Sequence, residues 1–174
     1  MSTICSAIFW GDFAEAKRMV NEDPKYVQIE YGDKWSVLDV AIAYGRLEIA
    51  KLLWENGGRP NLDACRDGIY TPVHEAAYGG HNTTLKWVFA KKILPLSVLK
   101  IKSGLKKTPL DWAILMRRKE TAALFRRLLY VDPVFLAMHC AKRDHKCVLR
   151  RLPDELLDMV VAEVAARVDL ILLW

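Results

Sequence analysis

Histidine and cysteine side chains have the widest chemical range in this chain, because they can bind metals, transfer protons or act as nucleophiles. His139, Cys140, His145 and Cys147 form the one cluster of metal-ligand types in the sequence. Zinc requires ligands that converge tetrahedrally, but adjacent residues on a helix point about 100° apart, and the spacing fits no common zinc pattern. We therefore predict no metal site here, and assign these residues to a buried cysteine and solvated histidines.

Other catalytic signatures are absent from the sequence. It contains no glycine-rich phosphate loop, and no serine or cysteine has a base placed by a recognisable motif. The prediction is a protein that is not an enzyme and needs no cofactor.

The composition predicts a folded chain. Of the 174 residues, 52% are hydrophobic and 27% are charged, which is unlike a disordered protein. The net charge of +5 is divided among many short basic clusters, whereas nucleic-acid binding needs it gathered on one face. No apolar run reaches the roughly 18 residues of a membrane span, and the N-terminus lacks a signal sequence. We expect a cytoplasmic protein, with the nucleus as an alternative, that binds no nucleic acid.

A pair of small residues, an alanine followed four positions later by a glycine, recurs along the chain. The copies are Ala7 and Gly11, Ala41 and Gly45, and Ala76 and Gly80, which are 34 and 35 residues apart. Ala113 continues the series 37 residues after Ala76. A fixed period of this length is the signature of a repeat architecture.

The hexapeptide that ends at each alanine also repeats, as Ser36–Ala41, Thr71–Ala76 and Thr108–Ala113. Each begins with Ser or Thr, whose oxygen caps a helix, and in two copies a Pro follows with the preset φ of a first helical residue. The later glycine permits the left-handed turn that ends the helix. Apolar residues at helical spacing then predict a second helix, as over Leu47–Trp54. Each copy is therefore predicted to be a helical hairpin.

Two stretches resemble the ankyrin-repeat family over roughly residues 1–130. Asp67–His81 is similar to the family's finger and Thr-Pro-Leu-His signature, and Asn56–Asn61 to its turn between repeats. The resemblance implies an all-α solenoid whose unit is a β-turn finger followed by two antiparallel helices. It also implies that His74 and His81 hydrogen-bond between neighbouring units and are structural. The chain departs from the family at Asp39 and Asp111, which replace the histidine, and at Arg117, which replaces the glycine.

The predicted organisation is a series of helix pairs closed by one helix. Residues 1–28 form an N-terminal cap repeat, and 29–61, 62–97 and 98–130 form three repeats with fingers. Residues 131–152 align on the fourth copy with an offset of only 24 residues, which leaves room for a fifth helix pair without a finger. Residues 153–174 form a C-terminal helix.

The ankyrin resemblance implies binding of a partner protein by fingers and inner helices on a concave side. Large aromatic residues are favoured anchors for such contacts. The predicted contact residues are Trp35, Tyr44, Tyr70, Tyr78 and Met116, flanked by Lys34, Lys106 and Lys107. An aromatic stripe edged by lysines favours a partner segment that is apolar and partly acidic. The helix tryptophans Trp10, Trp54, Trp87 and Trp112 are assigned to packing.

The C-terminal segment is a second predicted contact. Leu152–Val161 is similar to the opening helix of an F-box, which joins substrate receptors to Skp-cullin ubiquitin ligases, so a Skp-type adaptor is an alternative partner. A SOCS-box-like tail, a helix that caps the solenoid, and a subunit of a larger assembly remain open alternatives. The predicted contact residues are Leu156, Met159, Val160, Leu172 and Trp174.

Overall fold

The computed structural model describes residues 3–32, 35–61 and 70–129. The chain divides into two compact units, of which the first ends at Arg126 and contains nearly all of these residues. The elements in chain order are α1 (Ile4–Trp10), α2 (Phe13–Glu22), a 3-10 helix (Pro24–Gln28), β1 (Glu30–Tyr31), β2 (Trp35–Ser36), α3 (Val37–Ala43), α4 (Leu47–Glu55), α5 (Pro72–Gly79), α6 (Asn82–Ala90), a 3-10 helix (Leu96–Lys100) and α7 (Pro109–Leu115). Residues 119–129 are also helical.

Three of the inner helices begin with the same reciprocal cap. The side chains of Ser36, Thr71 and Thr108 accept a hydrogen bond from the backbone N–H three residues later, and the side chain at that later position accepts one from the cap residue's own N–H. Two otherwise unpaired backbone donors are thereby satisfied at each helix start. This confirms that the repeated hexapeptide opens a helix.

Left-handed backbone ends the inner helices. Gly11, Gly45 and Gly80 have φ angles of 76°, 68° and 80°. Arg117, at the fourth equivalent position, adopts the same conformation with a φ of 56°. The turn is therefore retained in the fourth repeat although its residue has a Cβ, which makes this conformation unfavourable.

The helix pairs stack in sequence order. Inner helices α1, α3, α5 and α7 contact one another in succession, and outer helices α2, α4 and α6 do the same behind them. The repeated alanines Ala7, Ala41, Ala76 and Ala113 are all buried. Their small side chains let neighbouring inner helices approach closely.

The residue after each left-handed turn reaches back to the preceding repeat. Arg46 Nε donates to the carbonyl oxygen of Ile8 at 3.2 Å, and Arg118 Nε donates to that of Tyr78 at 3.0 Å. His81 occupies the corresponding position between them. Its ring fills the space beside Gly45, where an added Cβ would lie 2.4 Å from His81 Cγ. These three side chains connect each repeat to the one before it.

The described residues include one finger apart from residues 33–34 and a second finger in full. In the first, β1 and β2 pair antiparallel, with Tyr31 opposite Trp35. In the other, Ser103 N donates to the carbonyl oxygen of Lys107 at 2.9 Å. The architecture is the all-α stack of helix pairs with short fingers that the ankyrin resemblance implies.

Candidate protein-binding surface

His74 is a structural residue that connects two repeats. Its Nδ1 accepts from the backbone N–H of Thr71 at 3.2 Å, and its Nε2 lies 3.1 Å from the carbonyl oxygen of Lys107 in the next repeat. Because an amide can only donate and a carbonyl can only accept, the ring is neutral with its proton on Nε2. Burial disfavours the charged form and lowers the pKa of His74. The predicted hydrogen bond between units is confirmed here.

His81 connects repeats in a different way from the one predicted. Among the described residues its side chain makes no hydrogen bond to a neighbouring unit, and it packs instead against Gly45 and Gly79. Burial lowers the pKa of His81, and the charges of Arg46 and Arg118 lower it further. The prediction of a hydrogen bond was therefore wrong for His81. Its ring is held by steric packing in the space that the missing Cβ of Gly45 leaves.

Phe9, Tyr31 and Tyr44 form the first aromatic cluster, which combines side chains from two successive repeats. The ring centroids of Phe9 and Tyr44 are 4.5 Å apart, those of Phe9 and Tyr31 are 5.4 Å apart, and both pairs meet edge to face. Phe9 and Tyr44 are half-buried and Tyr31 is exposed. The three rings thus pack on one another while part of the cluster remains accessible.

Tyr70, Tyr78 and Trp112 form the second aromatic cluster, from the next pair of repeats. Trp112 meets Tyr70 at a centroid distance of 5.6 Å and Tyr78 at 5.9 Å, again edge to face. Tyr70 also stacks on the ring of His74, and Trp112 Nε1 donates to Ser103 Oγ at 3.2 Å. Tyr78 is 40% exposed. The structure therefore brings the predicted residues Tyr70 and Tyr78 together through a tryptophan that the sequence assigns to packing.

Glu75 interacts electrostatically with one tyrosine of each aromatic cluster. It is half-buried in α5, and burial raises the pKa of its carboxyl group. Burial also raises the pKa values of Tyr44 and Tyr70, the latter to about 12, and the negative charge of Glu75 adds to both shifts. The carboxylate is thus close to one tyrosine of each cluster. The sequence predictions did not include Glu75.

Trp10 corrects one prediction. The sequence assigns it to packing, but its side chain is 84% exposed. The period of 34 residues relates Trp10 to Tyr44, and Phe9 to Ala43, so both aromatic residues stand at inner-helix contact positions of the first repeat. The repeat register alone could have identified Trp10 and Phe9 as candidate contact residues.

The other predicted contact residues are more dispersed. Trp35 is half-buried in β2 and makes no aromatic ring contact within the described residues. Met116 is half-buried where α7 ends. Lys106 is exposed at the finger turn, and Lys107 is half-buried. Lys34 lies outside the described residues.

The predicted C-terminal contacts and the His and Cys cluster at 139–147 also lie outside the described residues, as do the fifth helix pair and the C-terminal helix. Among the helices that the structure describes, none has the length and apolar character that crossing a bilayer requires. In the same part of the chain, no group of three or more His, Cys, Asp or Glu side chains is placed to hold a metal ion.

Comparison with known families agrees with the repeat register. Residues 38–89, which run from α3 to α6, match the model of a family described as ankyrin repeats (many copies). No curated protein matches the chain, and the F-box-like resemblance receives no support. Ankyrin repeats are generally protein–protein interaction modules and are typically not enzymes. Residues 38–89 are thus similar to ankyrin repeats, and the described residues have the all-α architecture of stacked helix pairs.

Proposed function

We propose that this chain recognises a partner protein non-covalently, through its fingers and inner helices. The proposed binding surface consists of the two aromatic clusters, with Glu75, Lys106 and Lys107. Its principal contact would be an apolar segment of the partner laid across these rings. Lys106 and Lys107, beside the second cluster, would contact acidic groups at the edge of that segment.

The observation that supports this proposal most is the accessibility of side chains that are already held in place. Tyr78 is 40% exposed, yet its ring is fixed against Trp112. A preorganised aromatic ring loses little conformational entropy on binding, so more of its buried area contributes to affinity. The neighbouring Leu115, at the equivalent position one repeat later, is exposed as well.

The experiment uses the full chain as bait to capture a partner from lysate, followed by affinity measurement with the purified pair. Tyr78→Ala should weaken binding by about 2 kcal/mol, roughly 30-fold in Kd, if Tyr78 is a hot spot. Lys86→Ala, an exposed change on outer helix α6, is the control and should bind like the parent. Equal affinity of all three proteins would contradict the proposed surface.

A Skp-type adaptor remains the alternative partner, and it depends on residues outside the described part. A chain that ends at Leu152 tests it in the same capture experiment. Loss of Skp and cullin proteins on truncation would favour the alternative, whereas a partner retained by the shortened chain would favour the repeat surface.

A further inference from the structure

We propose that Glu75, with Tyr44, Tyr70 and Tyr78, forms a receptor for a cationic side chain, Arg or Lys, presented by the partner's bound segment. This inference rests on the proposed function and adds the partner's chemistry to it. The bound segment would then be apolar along the aromatic clusters and positively charged where it passes Glu75.

These four residues belong to two inner helices that pack on each other and to the positions beside them. Glu75 and Tyr78 are three residues apart on α5 and therefore share one face of that helix. Tyr70 directly precedes the helix cap, and Tyr44 directly follows α3, the inner helix that packs against α5. Tyr44, Tyr70 and Glu75 are half-buried and Tyr78 is exposed, so these side chains are partly shielded from water and still reachable.

The carboxylate of Glu75 has no partner of its own within the described residues. No hydrogen bond or ion pair there involves it, whereas Glu48, on outer helix α4, pairs with Lys51 at 2.8 Å. Arg46 and Arg118, the two arginines of the repeat connections, donate to backbone carbonyls. A half-buried charge without a partner is unfavourable. A cation from the partner protein would supply the missing interaction.

The tyrosine rings favour the same kind of ligand. A Lys or Arg group over an aromatic face is attracted by the ring's negative face, and the attraction grows as water is excluded. The negative charge of Glu75 raises the pKa values of Tyr44 and Tyr70, in addition to the effect of burial. One ligand cation could therefore contact the carboxylate and an aromatic ring together, and Arg has the planar shape that suits both.

Two peptides that differ only in charge test the receptor. Acetyl-Ala-Arg-Ala-amide and its citrulline counterpart, which is neutral and nearly the same shape, are titrated into the 15N-labelled full chain at pH 7.5. We expect saturable shifts at the Glu75 and Tyr78 amides with the arginine peptide, and at least fivefold weaker binding of the citrulline peptide. Equal binding of the two peptides, or shifts away from α5, would overturn the proposal.

Charge variants of the protein provide the matched control. Glu75→Gln keeps the side-chain shape, should leave the fold intact, and should weaken binding of the arginine peptide at least fivefold. Glu48→Gln makes the same change on an outer helix and should have no effect. The receptor is also refuted if both variants bind the peptide as the parent does.

The captured partner separates this inference from the proposed function. If Tyr78→Ala weakens partner binding and Glu75→Gln leaves it unchanged, the cation receptor is wrong while the recognition surface stands. If neither change weakens binding, the proposed surface itself is wrong. A loss with both changes supports the two proposals together.

Discussion

His81 and Gly45 are packed so closely that a Cβ added to Gly45 would lie 2.4 Å from His81 Cγ. The two residues belong to consecutive repeats, and Gly45 also has a φ of 68°. The glycine therefore meets two requirements, a left-handed turn that ends its own helix and a space for the neighbour's ring. Only the first of these is visible in the spacing of a single repeat.

Gly45→Ala should lower the free energy of unfolding by about 3 kcal/mol, through left-handed strain and displacement of the ring. Gly57→Ala is the matched control, because Gly57 has a φ of 87° and nothing within 4 Å of an added Cβ. It should cost about 1 kcal/mol, from strain alone. Urea unfolding of both variants measures the difference. Equal losses would show that the contact with His81 contributes nothing.

Arg117→Gly should stabilise the protein, because Arg117 has a φ of 56° where the other repeats use glycine. We expect a gain of roughly 0.5 to 1 kcal/mol, after the larger entropy loss of glycine offsets part of the relieved strain. Arg126→Gly, in the helix over residues 119–129, makes the same replacement in helical backbone and should destabilise by about 1 kcal/mol. Thermal unfolding compares them, and two changes of the same sign would contradict the explanation.

The helices were predictable from the sequence because their signals are local. The caps at Ser36, Thr71 and Thr108 and the glycines of the turns act within a few residues of themselves. The left-handed turn at Arg117 was predictable only because Arg117 stands where the other repeats have glycine. An arginine by itself does not indicate left-handed backbone. Its conformation follows from the neighbouring repeat, against which Arg118 is fixed by its bond to Tyr78.

The candidate site was predictable in part. Tyr70 and Tyr78 were identified from their repeat positions, but Trp112 was assigned to packing because its contacts with them run between repeats. Glu75 was missed for a different reason. Whether a glutamate is paired depends on which side chains surround it in the fold, and no spacing in the sequence records that.

Acid should weaken the fold through His74. The pKa of His74 in the folded protein is lowered from 6.5. Below about pH 6.5 the unfolded chain therefore binds a proton that the folded chain excludes. The free energy of unfolding decreases as the pH decreases. Protonation of Nδ1 would also break its bond with the Thr71 N–H. His74→Gln should therefore lose less stability than the parent between pH 7 and pH 5, as measured by urea unfolding at each pH. If the free energy of unfolding of His74→Gln and of the parent decreased equally over this pH range, His74 would not have this role.

Asp39 and Asp111 occupy the same cap position in different repeats, and their pKa values should move in opposite directions. Burial raises the pKa of Asp39 to about 6, although it accepts hydrogen bonds from Ser36 and Asn61. Asp111 is exposed, and its bonds from Thr108 lower its pKa below 3.8.

The consequences for stability therefore differ in sign. The contribution of Asp39 decreases as pH rises from about 3.8 to about 6, because the unfolded chain releases this proton first. The contribution of Asp111 is present above pH 3.8 and is lost as pH falls through its folded pKa. A titration of the 13C carboxyl shifts resolves both residues. A measured pKa below 4 for Asp39 would contradict the expected effect of burial. The environment of Asp39 would then favour the charged carboxylate, as the environment of Asp111 does.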